Sequence, residues 1–250
     1  VLPADLQRAL TSAAAAPRLL ITSDFDGTLA PIVSNPGDAR PLAEAADALV
    51  TLADLPDTAS ALISGRALEV LRELSGMPPA VHLVGSHGAE FNTGFTHEVN
   101  DAALQRITSE LREIASGKPG VTVETKPASV ALHVRNASAD DGAAALSAAR
   151  EASTDWNAQL TEGKEVLEFA VIQTDKGEAI DILREQENAD AVVFFGDDVT
   201  DEKAFRRLRG DDVGVKVGPG DTLAAYRVES PQDVAAALVY LLDARRSQSG

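Results

Sequence analysis

Along the chain, short runs that are apolar throughout alternate with segments whose apolar positions recur every three or four residues. "RLLITS" (18–23), "TASALIS" (58–64) and "VHLVG" (81–85) predict buried strands. Between them, "PLAEAADALVTLADL" (41–55) and "GRALEVLRELSG" (65–76) carry helical spacing of Leu, Val and Ala. The alternation resumes past residue 175: helix "DKGEAIDILREQ", strand "AVVFFG", helix "TDEKAFRRL", strand "VGVKV" and helix "PQDVAAALVYLLDARR". Strand–helix–strand order with continuously apolar strands predicts an α/β core, a parallel sheet covered on both faces.

Residues 100–173 follow another pattern. "DAALQRITSELREIA" and "ADDGAAALSAAREAS" predict amphipathic helices. "VTVETK", "SVALHVR" and "KEVLEF" alternate with period two, which places Glu124 with Lys126, His133 with Arg135, and Lys164 with Glu168 on common faces. A solvated sheet face would explain any one such pair; three on consecutive strands suggest a polar platform facing something. The expected organisation is a discontinuous core of residues 1–99 and 174–250, with an α+β module of residues 100–173 inserted between its halves. Trp156, the only tryptophan, is expected in a core.

Composition narrows the function. The 39 acidic and 22 basic residues give a net charge of -17, which disfavours binding to nucleic acid or anionic membranes. An anionic substrate would therefore need local positive charge from lysine, arginine or a metal. The absence of cysteine excludes disulfides, thiolate catalysis and thiolate metal sites. No apolar run reaches the roughly 18 residues of a membrane span, and the opening segment lacks the pattern of a secretory leader. The cytoplasm is the expected compartment.

The candidate chemistry sits where predicted strands end, since ligands of open parallel sheets bind beyond the strands' carboxyl ends. "LLITSDFDG" places Asp24 and Asp26 there, and "VVFFGDDVTD" places Asp197 and Asp198 there, with Asp201 one turn later. Ser64 ends another strand, and Lys176 opens a helix. Converging carboxylates call for a hard divalent cation with oxygen ligands, most plausibly Mg²⁺. The cation, Lys176 and backbone N–H groups near Gly27 could then hold a phosphate. A carboxylate is already ionised at neutral pH and can attack phosphorus directly, while a second acid protonates the leaving alkoxide and later deprotonates water. A lone D-x-D also occurs in metal-binding loops, helix caps and glycosyltransferases; the ordered combination points to phosphoryl chemistry.

"DFDGTL" resembles the signature of haloacid dehalogenase-like phosphatases. "ISGR", "GSHGAE", "VETKPASVALHVR", "EGKEVLEF", "DKGEAI" and "GDDVTDEKAF" together resemble trehalose-6-phosphate phosphatases, in order from about residue 18 to about 228. The resemblance implies a Rossmann-like core with a cap domain, and magnesium-dependent hydrolysis of trehalose 6-phosphate through an aspartyl-phosphate. It implies Asp24 as nucleophile and Asp26 as general acid and base. Asp24, the Asp26 backbone carbonyl and Asp197 would hold Mg²⁺, supported by Asp201 and Asp198. Thr28, Ser64 and Lys176 match phosphate-binding positions. The cap would engage the sugar through Glu124, Lys126, Arg135, Lys164 and Glu168.

Arg66 and His87 are expected beside the substrate, against structural alternatives. Arg66 could instead cap a carbonyl or pair with a carboxylate, and His87 could satisfy buried backbone. Ala170 stands where the family often has a basic residue, and Val134 where an aromatic is common. A monomer is expected, with association with the enzyme that forms the sugar phosphate left open. The alternatives are a phosphatase of another sugar phosphate (sucrose 6-phosphate or mannosyl-3-phosphoglycerate type) and a non-catalytic sugar-phosphate binder. A signalling receiver would be shorter and lack the second acid.

Overall fold

In the computed structural model, residues 1–248 are described. The chain runs through α1 (Ala4–Ala14), β1 (Leu19–Ser23), α2 (Ala43–Ala53), β2 (Thr58–Ile63), α3 (Leu68–Ser75) and β3 (Val81–Val84). Two short strands follow, β4 (Glu90–Phe91) and β5 (Gly94–Phe95). Next come α4 (Asp101–Ala115), β6 (Thr122–Thr125), β7 (Ser129–His133), α5 (Ala139–Ala152), β8 (Gln159–Gly163) and β9 (Val166–Ala170). The chain then continues through α6 (Lys176–Glu187), β10 (Ala191–Gly196), α7 (Glu202–Arg207), β11 (Val213–Val217), β12 (Tyr226–Val228) and α8 (Pro231–Ser247). It divides into two compact units, residues 1–93 with those from 174 onward, and residues 94–173. The second begins at 94, where the sequence pattern puts the change at about 100.

The first unit is an α/β sandwich around a six-stranded sheet in the order β12-β11-β10-β1-β2-β3. All five pairings are parallel. Every residue of β1 is buried because the strand is covered twice. Leu19 and Ile21 join a cluster with Leu6 and Leu10 of α1, Leu49 of α2 and Leu238 of α8. Leu20 faces the other way, into Ile180 and Leu183 of α6 and Phe205 of α7. Burial on both faces is why the strand is apolar throughout rather than alternating. Chain order reverses between β1 and β10, and the crevice at that switch point lies where both strands end, before Asp24 and Asp197.

The second unit is a four-stranded antiparallel sheet in the order β6-β7-β9-β8. Val130, Leu132, Leu167 and Phe169 pack with Ile107 and Leu111 of α4 and Ala145 of α5. Trp156 belongs to this core, edge-on to Phe169 at 5.0 Å, with its indole N–H donating to Glu110. The opposite face follows the period-two pattern, with Glu124, Ala131 and Glu168 in register across three strands.

Candidate active site

Asp24 continues the β1 ladder by one bond, its N–H donating to Phe195 O at 2.9 Å. Phe25 then turns fully into the core. Its carbonyl accepts from Thr28, Leu29 and Ala30, which folds the chain back tightly. Gly27 sits in this turn at φ +79°, and a Cβ there would lie 2.1 Å from Asp197 Oδ2. Glycine is thus required for its backbone conformation and for the carboxylate packed against it. The Gly27 N–H donates to Ala30 O at 2.7 Å and is engaged within the turn.

Lys176 enters from the first turn of α6, whose start is fixed by Asp175 accepting from the Glu178 N–H. Its buried ammonium bridges Asp24 Oδ1 at 2.8 Å and Asp201 Oδ1 at 2.7 Å. Asp201 is fully buried, and its second oxygen accepts the N–H groups of Asp197 and Asp198. Thr28 Oγ1 lies 3.3 Å from both Asp24 Oδ2 and Asp197 Oδ1. Asp24, Asp197 and Asp201 each bring an oxygen within 4.8 Å of the other two. Asp198 stands outside this group, exposed and capping the following turn through the Val199 N–H.

The electrostatics follow from crowding. Burial pushes the Asp24 carboxyl well above its usual range; Asp201 and Asp197 add to this, and Lys176 opposes it. Burial likewise raises Asp197. Lys176 also titrates above its ordinary value: burial acts against its charge, but Asp201 and Asp24 outweigh that. Two buried ammonium groups, Lys176 on the carboxylates and Lys216 on the Asp197 carbonyl, face three acids, so negative charge remains in excess. An all-oxygen donor set with excess negative charge fits a hard divalent cation.

Asp26 stands beside this cluster. Arg66 grips both of its oxygens, Nε to Oδ2 and Nη2 to Oδ1, each at 2.7 Å. Ser64 is buried at the end of β2 and accepts the Arg66 N–H at 3.0 Å. The "GSHGAE" loop packs against this turn. The His87 N–H donates to Ser64 O and the Ser86 N–H to Arg66 O. The His87 ring covers Gly65, where a Cβ would lie 2.4 Å from Cε1. Gly88 abuts the Asp175 carbonyl, where a Cβ would fall 2.4 Å away. Glu90 accepts from the Leu68 N–H at the start of α3. The motif thus fixes the Ser64–Arg66 turn and the start of α6 together.

In the second unit, Glu168 accepts from Lys126 Nζ at 3.1 Å and Ser129 Oγ at 2.7 Å. Glu124 pairs with His133 Nε2 at 2.7 Å, and that bond holds its carboxyl below the usual glutamate range. Lys164 lies exposed in the β8–β9 turn and Arg135 just beyond β7. The Val134 N–H to Glu165 O bond puts them at the same end of the sheet.

The trehalose-phosphatase family profile matches residues 22–232. The chain belongs to this family.

Among its curated relatives, the trehalose-phosphate phosphatase of Mycobacterium marinum is 37% identical over 237 residues, covering 88% of this chain and 60% of the relative. That of Mycobacterium tuberculosis (strain ATCC 25618 / H37Rv) is 36% identical over 230 residues, covering 85% and 58%. The chain thus spans about 60% of the length of the relatives it matches. A solved structure of a "trehalose-6-phosphate phosphatase related protein" superimposes with TM-score 0.76 at 26% identity, covering 90% of this chain and 97% of that one. The C-terminal domain of the Candida albicans trehalose-6-phosphate phosphatase matches in fold, with TM-score 0.79 at 24% identity, covering 97% and 98%.

The sequence motifs contain the acids Asp24, Asp197 and Asp201 that the fold brings together, but not the groups that hold them. Ser129 shares Glu168 with Lys126, and period two places it on the Glu168 face. Lys216 is buried on β11 and donates to the Asp197 carbonyl at 2.5 Å. Nothing in "VGVKV" distinguishes it from a solvated strand lysine.

Proposed function

We propose that the protein is a magnesium-dependent phosphatase that converts trehalose 6-phosphate and water to trehalose and phosphate. The observation that carries this reading is a buried Asp24 held by Lys176 at the sheet's switch point, with Asp26 gripped separately two residues on. Family membership supports the sugar phosphate.

In this mechanism an Asp24 carboxylate oxygen attacks phosphorus, the bond from phosphorus to the sugar oxygen breaks, and Asp26 gives that oxygen a proton. Water then attacks the aspartyl-phosphate, Asp26 takes its proton, and phosphate leaves with Asp24 restored. Lys176, Thr28 and Ser64 bind the phosphate oxygens. Phe25 and Asp26 offer the N–H groups for them, since those of Gly27, Thr28 and Leu29 are engaged within the turn.

Asp24, Asp197 and the Asp26 carbonyl would hold Mg²⁺, which when bound neutralises the carboxylates and the phosphate charge. Asp201 supports them by orienting Lys176 and the Asp197 and Asp198 N–H groups. Residues 94–173 act as the cap, where Glu124, Lys126, Arg135, Lys164 and Glu168 bind sugar hydroxyls by charge-assisted hydrogen bonds. Arg66 acts on Asp26, and His87 supports the turn that carries Arg66. Among the described residues no helix is long and apolar enough to cross a membrane, and we place the activity in the cytoplasm.

The test is phosphate release from trehalose 6-phosphate, glucose 6-phosphate and sucrose 6-phosphate, with Mg²⁺ or with chelator. Mg²⁺-dependent release from the trehalose ester alone is expected. Equal release from all three would refute the sugar assignment, and no release from any would refute the phosphatase.

A further inference from the structure

Lys216 lies on β11 in register with Gly196, the last residue of β10, and is 4% exposed. Its ammonium donates to the carbonyl of Asp197, at 2.5 Å. Taking an ammonium out of water is costly, and one hydrogen bond to a neutral carbonyl repays only a small part. The position of that carbonyl gives the lysine its purpose.

It belongs to the residue whose carboxylate joins Asp24 and Asp201 in the three-acid cluster. Asp197 is held at three points. Its N–H donates to Asp201 Oδ2 at 3.0 Å, its Oδ1 faces Thr28 Oγ1 at 3.3 Å, and its carbonyl accepts from Lys216. The residue before it is equally confined, because a Cβ on Gly196 would lie 2.5 Å from Asp201 Cβ. With both neighbouring peptides fixed, the carboxylate is directed over Gly27. Asp201 secures the N-terminal side of Asp197 and Lys216 the C-terminal side.

We propose that Lys216 is a positioning residue for Asp197, fixing the peptide that directs its carboxylate into the cluster and so setting the cluster's affinity for a divalent cation. The proposal rests on the phosphatase reading of the site. Groups that orient metal ligands typically account for about 10–100-fold in metal affinity.

The test is cation binding without substrate. Mg²⁺ binding is read from thermal stabilisation of the metal-free full chain and Mn²⁺ binding from its paramagnetic resonance, for wild type, Lys216→Met, Lys216→Arg and Asp197→Asn. Lys216→Met is expected to weaken binding by about 10-fold or more. Lys216→Arg should restore most of it, and KM for the sugar phosphate at saturating Mg²⁺ should stay unchanged. A folded Lys216→Met protein with wild-type affinity overturns the proposal and leaves the phosphatase reading standing. A wild-type protein that binds no cation overturns both. Should Lys216→Met fail to fold, Lys216→Gln retains a donor without the charge or the reach. Intermediate affinity there supports the proposal, and wild-type affinity overturns it.

Discussion

Arg66 holds both carboxylate oxygens of Asp26 and anchors the same guanidinium to the Pro36 carbonyl at 2.8 Å. The fork matches the carboxylate in a way an ammonium cannot. It fixes the orientation of the acid that would shuttle the proton. Arg66→Ala is expected to lower kcat by about 100-fold, the lower end of what a positioned acid–base group contributes, with a smaller change in KM. Arg66→Lys should recover only part of kcat. Steady-state kinetics of the two variants check this; a change confined to KM would mean that Arg66 contacts substrate instead.

Gly27 and Asp197 are locked together by space. Gly27→Ala forces an L-residue to φ +79° and puts its methyl 2.1 Å from Asp197 Oδ2. The strain alone is about 1–2 kcal/mol, and displacing the carboxylate disturbs the three-acid cluster as well. Loss of more than about 90% of activity is expected, from a protein that circular dichroism shows to be folded. Activity near that of wild type would remove the glycine from the account.

The Glu124–His133 pair gives a prediction in pH. Hydrogen bonding from His133 holds the Glu124 carboxyl below its ordinary value of 4.5. A depressed acid contributes stability that is present above 4.5 and is lost as pH falls through the lowered folded value. The contribution is small because both side chains are partly exposed. Carbon-detected NMR titration should place the Glu124 midpoint below 4.5 in wild type and move it upward in His133→Ala. An unmoved midpoint would contradict the assigned cause.

Arg245 of α8 ties the base of the sheet. Its guanidinium donates to the carbonyls of Ala14, Ala16, Pro17 and Asp57 and to Thr58 Oγ1. Arg245→Met strands these acceptors in a mostly buried setting, and a loss of about 3 kcal/mol or more in chemical denaturation is expected. Metal affinity should not change, since these contacts lie at the opposite ends of the strands from the three-acid cluster.

The parallel sheet was legible in the sequence because strands buried on both faces must be continuously apolar, as β1 and β10 are. Asp24 and Asp197 were legible because acids at the ends of buried strands resist desolvation and repel one another. Less legible was everything fixed by distant packing. Arg66 is separated by 40 residues from Asp26, and only the fold brings them together. Asp201 reads as an acid supporting the metal shell, and only the fold shows that its oxygens hold Lys176 and two backbone N–H groups. Lys216 is hidden in an ordinary strand pattern. The three residues of β12 are too few to show a period.

The covalent route is tested most directly by quenching the protein in acid during turnover of trehalose 6-phosphate and mapping the phosphoryl group by peptide mass spectrometry. A single phosphoryl group on Asp24 is expected, absent with chelator and absent in Asp24→Asn. Rapid turnover with an unmodified Asp24, or with the group on another residue, would contradict it.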